Sequence, residues 1–416
     1  MYKKFLPEQN SKKADGGETM QKPRRGAIPL MTGLILIRGF AGGGISITSS
    51  LFFAPVAREL GVGIGELSLY YSIMSLVAVF WLPLAGKLMT KVDVRLLAGA
   101  SALLQGLSFA AFGLQNHVMG FYLLSIPHAI GTGFLVNLLG PILINRYFPR
   151  NGGLMLGLQM ALVGIFGVVF QPLTSYLIEN TGWRSAYGIV GLVSTAAVIW
   201  AAFLLGKRPQ TEGISHTTET QSRELSEKEA VRLPSFYFLL ICMTALTGAT
   251  VFIQHVPTYG EVLGLPLGQI GVAMGVSSLG SALGAVGIGL INDKIGPVKT
   301  TFAILSLWVL GVVSFFFGEN LALFSVGSFL TGVAISSISI LIPFLTRLFY
   351  GSGDYARIFS KISLGAPLAS ILLIPGYGYI YDLTGSYFWV LILLLALLAA
   401  AILSVGLGWQ SRKKGR

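Results

Sequence analysis

Charge is what this chain has least of. Only 11% of its 416 residues are Asp, Glu, Lys or Arg, less than half of the roughly 25% found in soluble domains. So little charge excludes a soluble enzyme of this size and a disordered chain alike. Cysteine is nearly absent: Cys242 stands alone, inside an apolar run, so no disulfide framework is expected and its reading is a buried packing residue. Acids are scarcer than bases, 17 against 29, and none lies deep in an apolar run. No Walker loop, no G-x-S-x-G elbow and no metal-spaced cluster of His, Cys or Asp occurs. ATP-driven work, hydrolase chemistry, a metal site and a cofactor are therefore not expected, and the chain does not read as an enzyme. The first 26 residues are polar, so no cleavable signal peptide is expected.

What the sequence does have is long apolar runs. Each is near the roughly 20 residues that a membrane helix needs, and twelve can be laid down: Ala27–Leu51, Leu67–Ala85, Leu96–Leu114, Met119–Ile144, Leu154–Ile178, Ser185–Leu205, Phe236–Val256, Ile270–Ile291, Thr300–Phe317, Leu321–Leu345, Ile358–Ile380 and Tyr387–Gly408. They form two groups of six. This predicts an all-α membrane protein with a tail (1–26), a six-helix bundle (27–206), a polar linker (207–235), a second six-helix bundle (236–408) and a short tail (409–416). The linker balances five basic against five acidic residues and reads as a solvated strap, with a surface helix possible over Ser222–Leu233.

The basic residues orient the chain. Of the 29, 26 fall in the tails, the linker and the loops on the same side; Arg58 and Arg184 fall on the other side and Arg38 inside the first run. The excess of Lys and Arg marks the cytoplasmic side, so both termini are expected in the cytoplasm and the protein in the cytoplasmic membrane. The formal +12 is thereby an orientation signal rather than a nucleic-acid footprint.

The loop after the eighth run carries Gly289, Asp293, Lys294, Gly296 and Lys299. The loop after the second, about 203 residues earlier, carries Gly86, Lys91 and Arg95, with Thr90 and Asp93 where the later loop has Asp and Gly. The first set matches G-x-x-x-D-K/R-x-G-x-x-K/R, and the chain thereby resembles the major facilitator superfamily. The resemblance implies two six-helix bundles related by a parallel repeat, with pseudo-twofold symmetry and alternating access. It makes these loops gates: Gly289 for close helix approach, Asp293 to cap a neighbouring helix and pair with a cation. Two further stretches, Asn145 to Gly157 followed by Gly182, Trp183 and Arg184, and Pro234 to Phe236 followed by Gln254, His255, Pro257 and Tyr259, resemble the monocarboxylate transporter and oxalate/formate antiporter branch. Members move small organic anions with a proton or in exchange. The resemblance stops at two cations: the eighth run has none, showing Ser281, Ala282, Gly284 and Ala285 instead, and the eleventh has only Lys361 near its start.

In that superfamily the first, fourth, seventh and tenth helices line the cavity. Ionisable groups inside a bilayer are costly and point to function, and three fall on this set: Arg38, His128 and His255. Arg38 lies roughly 16 Å into its helix at 1.5 Å per residue, followed by Gly39, Gly42, Gly43 and Gly44, which weaken that helix. A lone guanidinium in an acid-free cavity favours a carboxylate, which it can hold with two parallel hydrogen bonds. The other reading is that Arg38 snorkels or bonds to freed backbone carbonyls. His128 and His255 either carry a proton or bond between helices. Asn137, Gln159, Gln171 and Gln254 are candidate lining or interhelical bonds, and Tyr70, Tyr71 and Tyr259 read as interfacial aromatics. The substrate-binding set expected is Arg38, His128, Asn137, Gln254 and His255. The reading is a monomeric secondary transporter of a small organic anion, a monocarboxylate by branch resemblance, with protons and the lipid bilayer as its other partners. An exporter of drug-like compounds and a transporter-like nutrient sensor are the alternatives.

Overall fold

The computed structural model describes residues 27–148, 152–205, 226–351 and 354–414. The N-terminal tail, Arg150, linker residues 206–225 and Arg416 lie outside the described residues. Among the described residues the chain is helical, without a strand.

Among the described residues, eleven helices are long and apolar enough to cross a membrane. One of them, Met155–Ala202, has 48 residues, roughly 72 Å at 1.5 Å per residue against about 30 Å of hydrocarbon. It is two crossings. Gly182 within it sits at φ 77°, ψ 156°, a conformation that glycine adopts without a Cβ clash. The chain turns back there: Gln159 on one arm bonds to the Leu34 carbonyl, while Ala201 and Leu205 on the other pack beside Gly33. Twelve crossings result. We label them α1 Ile28–Leu60, α2 Ile64–Met89, α3 Val94–Phe112, α4 Val118–Ile144, α5 (155–181), α6 (183–202), α7 Pro234–Gln254, α8 Leu267–Ile295, α9 Pro297–Phe315, α10 Leu321–Tyr350, α11 Gly365–Thr384 and α12 Phe388–Ser411.

The apolar runs locate these helices because a bilayer forces every backbone N–H and C=O to pair within its own segment. Their ends follow local chemistry. Asp93 and Asn320 cap α3 and α10 with their side chains, Pro234 and Pro297 open α7 and α9, and Gly61 and Gly385 close α1 and α11 in the left-handed region. Of the expected linker helix, the described part is Glu227–Arg232, opened by a capping box between Ser226 and Glu229. The eleventh run divides: Tyr355–Ile362 is a separate amphipathic helix, and Lys361 on it pairs with Glu227 at 2.6 Å. α1 runs nine residues beyond Leu51, through a π-helix (Gly39–Ser46) and a 3₁₀ turn (Thr48–Phe52).

Helices α1–α6 and α7–α12 form two bundles. α2 packs on α11 and α5 on α8 across the junction. We call the end near Met89, Asn292 and Glu227 the linker end, and the end near Leu60, Gly182 and Thr384 the distal end. One apolar core runs through the distal part of the first bundle and most of the second bundle, including Phe52, Phe112, Trp183, Phe252 and Tyr387, with a small separate cluster of Ile288, Ile304 and Leu341 in the second bundle. The linker-end part of the first bundle has its own core around Leu34, Ala98, Phe134 and Ala201. The bundles are thus fused distally. Large apolar side chains such as Phe80, Leu192 and Leu383 remain exposed, as bilayer-facing positions require.

Candidate functional site

Arg38 is the last α-helical residue of α1 before the π-helical segment Gly39–Ser46. α4 carries a matching π segment, Gly133–Leu138, in contact with the first. A π turn is uncommon and marks functional positions more often than chance. Arg38 is 9% exposed. Its Nη1 donates to Gln159 Oε1 at 3.4 Å, its Nε is buried without a partner, and no carboxylate pairs with it among the described residues. A buried cation is costly without compensation, so this group is short of an anion. Asn137, on the α4 π segment, is exposed.

The other expected site residues are held elsewhere. His128 is buried against α3: its Nδ1 bonds to the Gln105 carbonyl at 3.0 Å and its ring lies on Phe109 and Phe112. His255 is fully buried between α11 and α12, with Nε2 2.8 Å from the Ile374 carbonyl and Nδ1 3.2 Å from the Tyr387 hydroxyl. Both make interhelical bonds. Gln254 accepts from the Tyr71 hydroxyl of α2 at 3.1 Å, and Tyr71 also bonds to Ser49. Tyr71, read as an interfacial aromatic, instead joins the two bundles. Tyr70 is buried beside it, and the Tyr259 hydroxyl donates to the Phe315 carbonyl at 2.6 Å.

Tyr71–Gln254 belongs to a distal closure. Asp382 of α11 accepts from the backbone N–H of Ile64 (2.9 Å) and of Gly65 (2.7 Å), capping α2 across the junction. There Gly65 and Gly378 meet so closely that a Cβ on Gly378 would lie 2.5 Å from the Gly65 nitrogen. Ser72 donates to the Ile371 carbonyl at 2.6 Å. On the opposite flank, Gln171 of α5 donates to the Met274 carbonyl (2.8 Å) and Ser278 (2.6 Å) of α8, and Glu179 accepts from Gly268 N–H at 2.7 Å. Above this lies a vestibule of about 420 Å³, lined by Arg58, Thr258, Glu261, Tyr381 and Asp382 among others. Burial raises the Glu261 pKa above the ordinary carboxylate value, while its hydrogen bond to Arg58 opposes the shift.

The loop residues lie at the linker end. Asp93, where the repeat has glycine, caps α3 by accepting from Arg95 N–H at 2.9 Å, and Arg95 Nε donates to the Leu205 carbonyl closing α6. Lys91 ends α2. Gly296, at φ 81°, precedes α9. Asp293, Lys294 and Lys299 are exposed. The close approach expected at Gly289 is not made in this conformation: a Cβ there, or at Gly86, would meet nothing within 4 Å. Nor does Asp293 cap a helix or pair with a cation among the described residues. The physical reason is the distal fusion of the bundles, described above.

Sequence reading missed the Asp382 cap, the Ser49–Tyr71–Gln254 chain and the Arg38–Gln159 bond. The Arg38–Gln159, Asp382–Ile64 and Tyr71–Gln254 bonds each pair residues more than 100 positions apart, and only the polarity of the separate residues was there to signal them.

The family model for the Major Facilitator Superfamily matches residues 34–277 and 263–415. An oxalate:formate antiporter of Oxalobacter formigenes is 24% identical over 75% of this chain and 71% of its own. Monocarboxylate transporter 13 of Rattus norvegicus is 25% identical over 83% of this chain and 80% of its own. The multidrug resistance protein MdtG of Dickeya zeae is 27% identical over 77% and 80%. Among solved structures, a bacterial homologue of the human lysosomal transporter Spinster, in an inward-facing and unoccupied conformation, aligns with TM-score 0.68 at 13% identity, covering 94% of this chain and 99% of that one.

Proposed function

The chain belongs to the Major Facilitator Superfamily of membrane transporters, and from that premise we propose that it carries a small organic anion with one carboxylate, bound at Arg38. The observation that carries this reading is the buried Arg38 guanidinium, with one long hydrogen bond and no carboxylate partner. A site with a single cation suits a monoanion; the relatives named for oxalate, formate and monocarboxylates support the class.

On this reading the bundles 27–206 and 236–408 rock about the site. The basic residues put the linker end, both termini and the gating loops in the cytoplasm, with the protein in the cytoplasmic membrane. The conformation described here is then closed to the outside by Arg58–Glu261, Asp382 and Tyr71–Gln254. The loop residues Gly86, Lys91, Arg95, Gly289, Asp293, Lys294, Gly296 and Lys299 serve the opposite state, in which the linker end closes. Asn137 is the second lining residue, while His128, Gln254 and His255 act in packing and closure. Neither histidine serves a proton relay, and exchange of one anion for another fits best.

The test is uptake of labelled formate, lactate, pyruvate and oxalate into proteoliposomes, with and without a pH gradient and an internal anion. Saturable monocarboxylate uptake, faster with internal anion and abolished by Arg38→Ala, is expected. Wild-type uptake by Arg38→Ala overturns the assignment. The relative named for multidrug resistance favours a second reading, export of amphipathic compounds; growth-inhibition profiles of an overexpressing strain separate the two.

A further inference from the structure

Arg38 does not face its site unaided. Gln159 of α5 touches α1 at two points one turn apart: its Nε2 lies 3.2 Å from the Leu34 carbonyl and its Oε1 3.4 Å from Arg38 Nη1. A carbonyl only accepts and a guanidinium only donates, so one orientation of the amide satisfies both. Gln159 is itself 1% exposed. The room it occupies is left by Gly140 of α4, where a Cβ would fall 2.4 Å from Gln159 Oε1. Three helices thus converge on one amide, and the amide holds one end of the guanidinium.

That leaves the opposite edge. Nε is buried with no partner, and Nη2 makes no hydrogen bond among the described residues. These two nitrogens present parallel N–H groups at the spacing of a carboxylate's two oxygens.

We propose that Gln159 is a positioning residue for substrate: by holding Nη1 it turns the Nε–Nη2 edge of Arg38 toward a planar carboxylate, with Gly140 as the space that admits it. This rests on Arg38 being the anion site. The same α5 carries Gln171, which bonds to α8 of the second bundle, so the helix that orients Arg38 also spans the junction that must part during transport. A point anion gains little from such an arrangement; a flat, two-oxygen anion gains two bonds in fixed register.

The experiment measures initial uptake of labelled formate, lactate and pyruvate by the full chain in proteoliposomes. Gln159→Leu frees the guanidinium and is expected to raise KM about 10-fold with Vmax kept, the size of one lost bond to a charged group. Gln159→Glu supplies an internal carboxylate and is expected to abolish uptake while leaving thermal stability intact. Gly140→Ala displaces the amide; it should reproduce the KM rise in the wild-type background and add nothing in Gln159→Ala, which also keeps the inference testable if Gln159→Leu fails to fold. Arg38→Lys, which lacks the paired edge, should not rescue uptake. Wild-type uptake by Arg38→Ala overturns the reading of the site itself. Loss of uptake in Arg38→Ala together with wild-type KM in both Gln159→Leu and Gln159→Glu overturns this inference alone.

Discussion

Arg58 and Glu261 join the two bundles at the distal end, with 2.6 Å between Nη2 and Oε2. Arg58 is largely exposed and Glu261 largely covered, so the pair is only partly screened. Exposed pairs contribute about 0.2–1 kcal/mol. Glu261→Gln should therefore shift the balance between distally open and closed forms by no more than about 5-fold, the upper end of that range. Spin labels on Leu114→Cys and Leu383→Cys, both exposed distal positions in opposite bundles, report it as growth of the long-distance population. Native Cys242 is fully buried and should stay unlabelled.

The same carboxylate gives a pH response, and its sign is not the intuitive one. In the closed form burial raises the Glu261 pKa, with Arg58 opposing. Once the distal side opens, Glu261 meets water and returns toward the ordinary value of about 4.3. The closed form then holds the proton more tightly, so lowering the pH through this titration favours closure, and raising it withdraws that contribution. The short-distance population should grow on acidification in the wild type, and Glu261→Gln should flatten the response. Growth of the long-distance population with acid would show that Arg58 pairing outweighs burial.

Two glycines should fail in opposite ways. On α8, a Cβ at Gly271 would lie 2.2 Å from Ser175 Oγ and 3.1 Å from the Gln171 carbonyl of α5, whereas a Cβ at Gly289 meets nothing within 4 Å. Gly271→Val should block distal closure, abolishing uptake and leaving long distal distances. Gly289→Val should abolish uptake with distal distances kept short, because its cost falls on the state closed at the linker end. Full activity in Gly289→Val would remove that loop from the gate.

The membrane histidines separate packing from proton transfer. Each bonds to a backbone carbonyl, which fixes one ring nitrogen as the donor. Removing such a bond costs about 0.5–1.5 kcal/mol, more if a buried partner is stranded. His128→Ala and His255→Ala should lower the melting temperature and leave the pH profile of uptake unchanged. A flattened profile in either variant, at normal stability, assigns that histidine to proton coupling.

Much of the fold was legible because the bilayer allows few solutions: apolar runs of the right length, separated by short polar breaks, leave little but twelve crossings. Gly182 turns the chain where the sequence broke the fifth run from the sixth. What did not show was register. Tyr71 looks like any interfacial tyrosine until Gln254, 183 positions away, is placed opposite it. Asp382 carries no signal of its own in the sequence; its role depends on the backbone of α2 arriving beneath it. The glycines after Arg38 announced a weakened helix, but not that it would widen into a π segment. His128 and Arg38 looked alike as isolated polar groups, and only their neighbours distinguish a satisfied imidazole from an unsatisfied guanidinium.

The π segments of α1 and α4 carry a consequence for insertions and deletions. A π turn holds one more residue than an α turn, and each residue accounts for about 100° of an α-helix. Deleting one residue between Gly39 and Ser46 would let α1 close into regular α-helix and would rotate everything distal to it by about that angle relative to Arg38. Ser49 would swing away from Tyr71 while Arg38 kept its place beside Gln159. The extra residue is therefore the phase adjustment that lets one helix present its cation at mid-depth and its closure residues at the distal end on the faces where each has a partner.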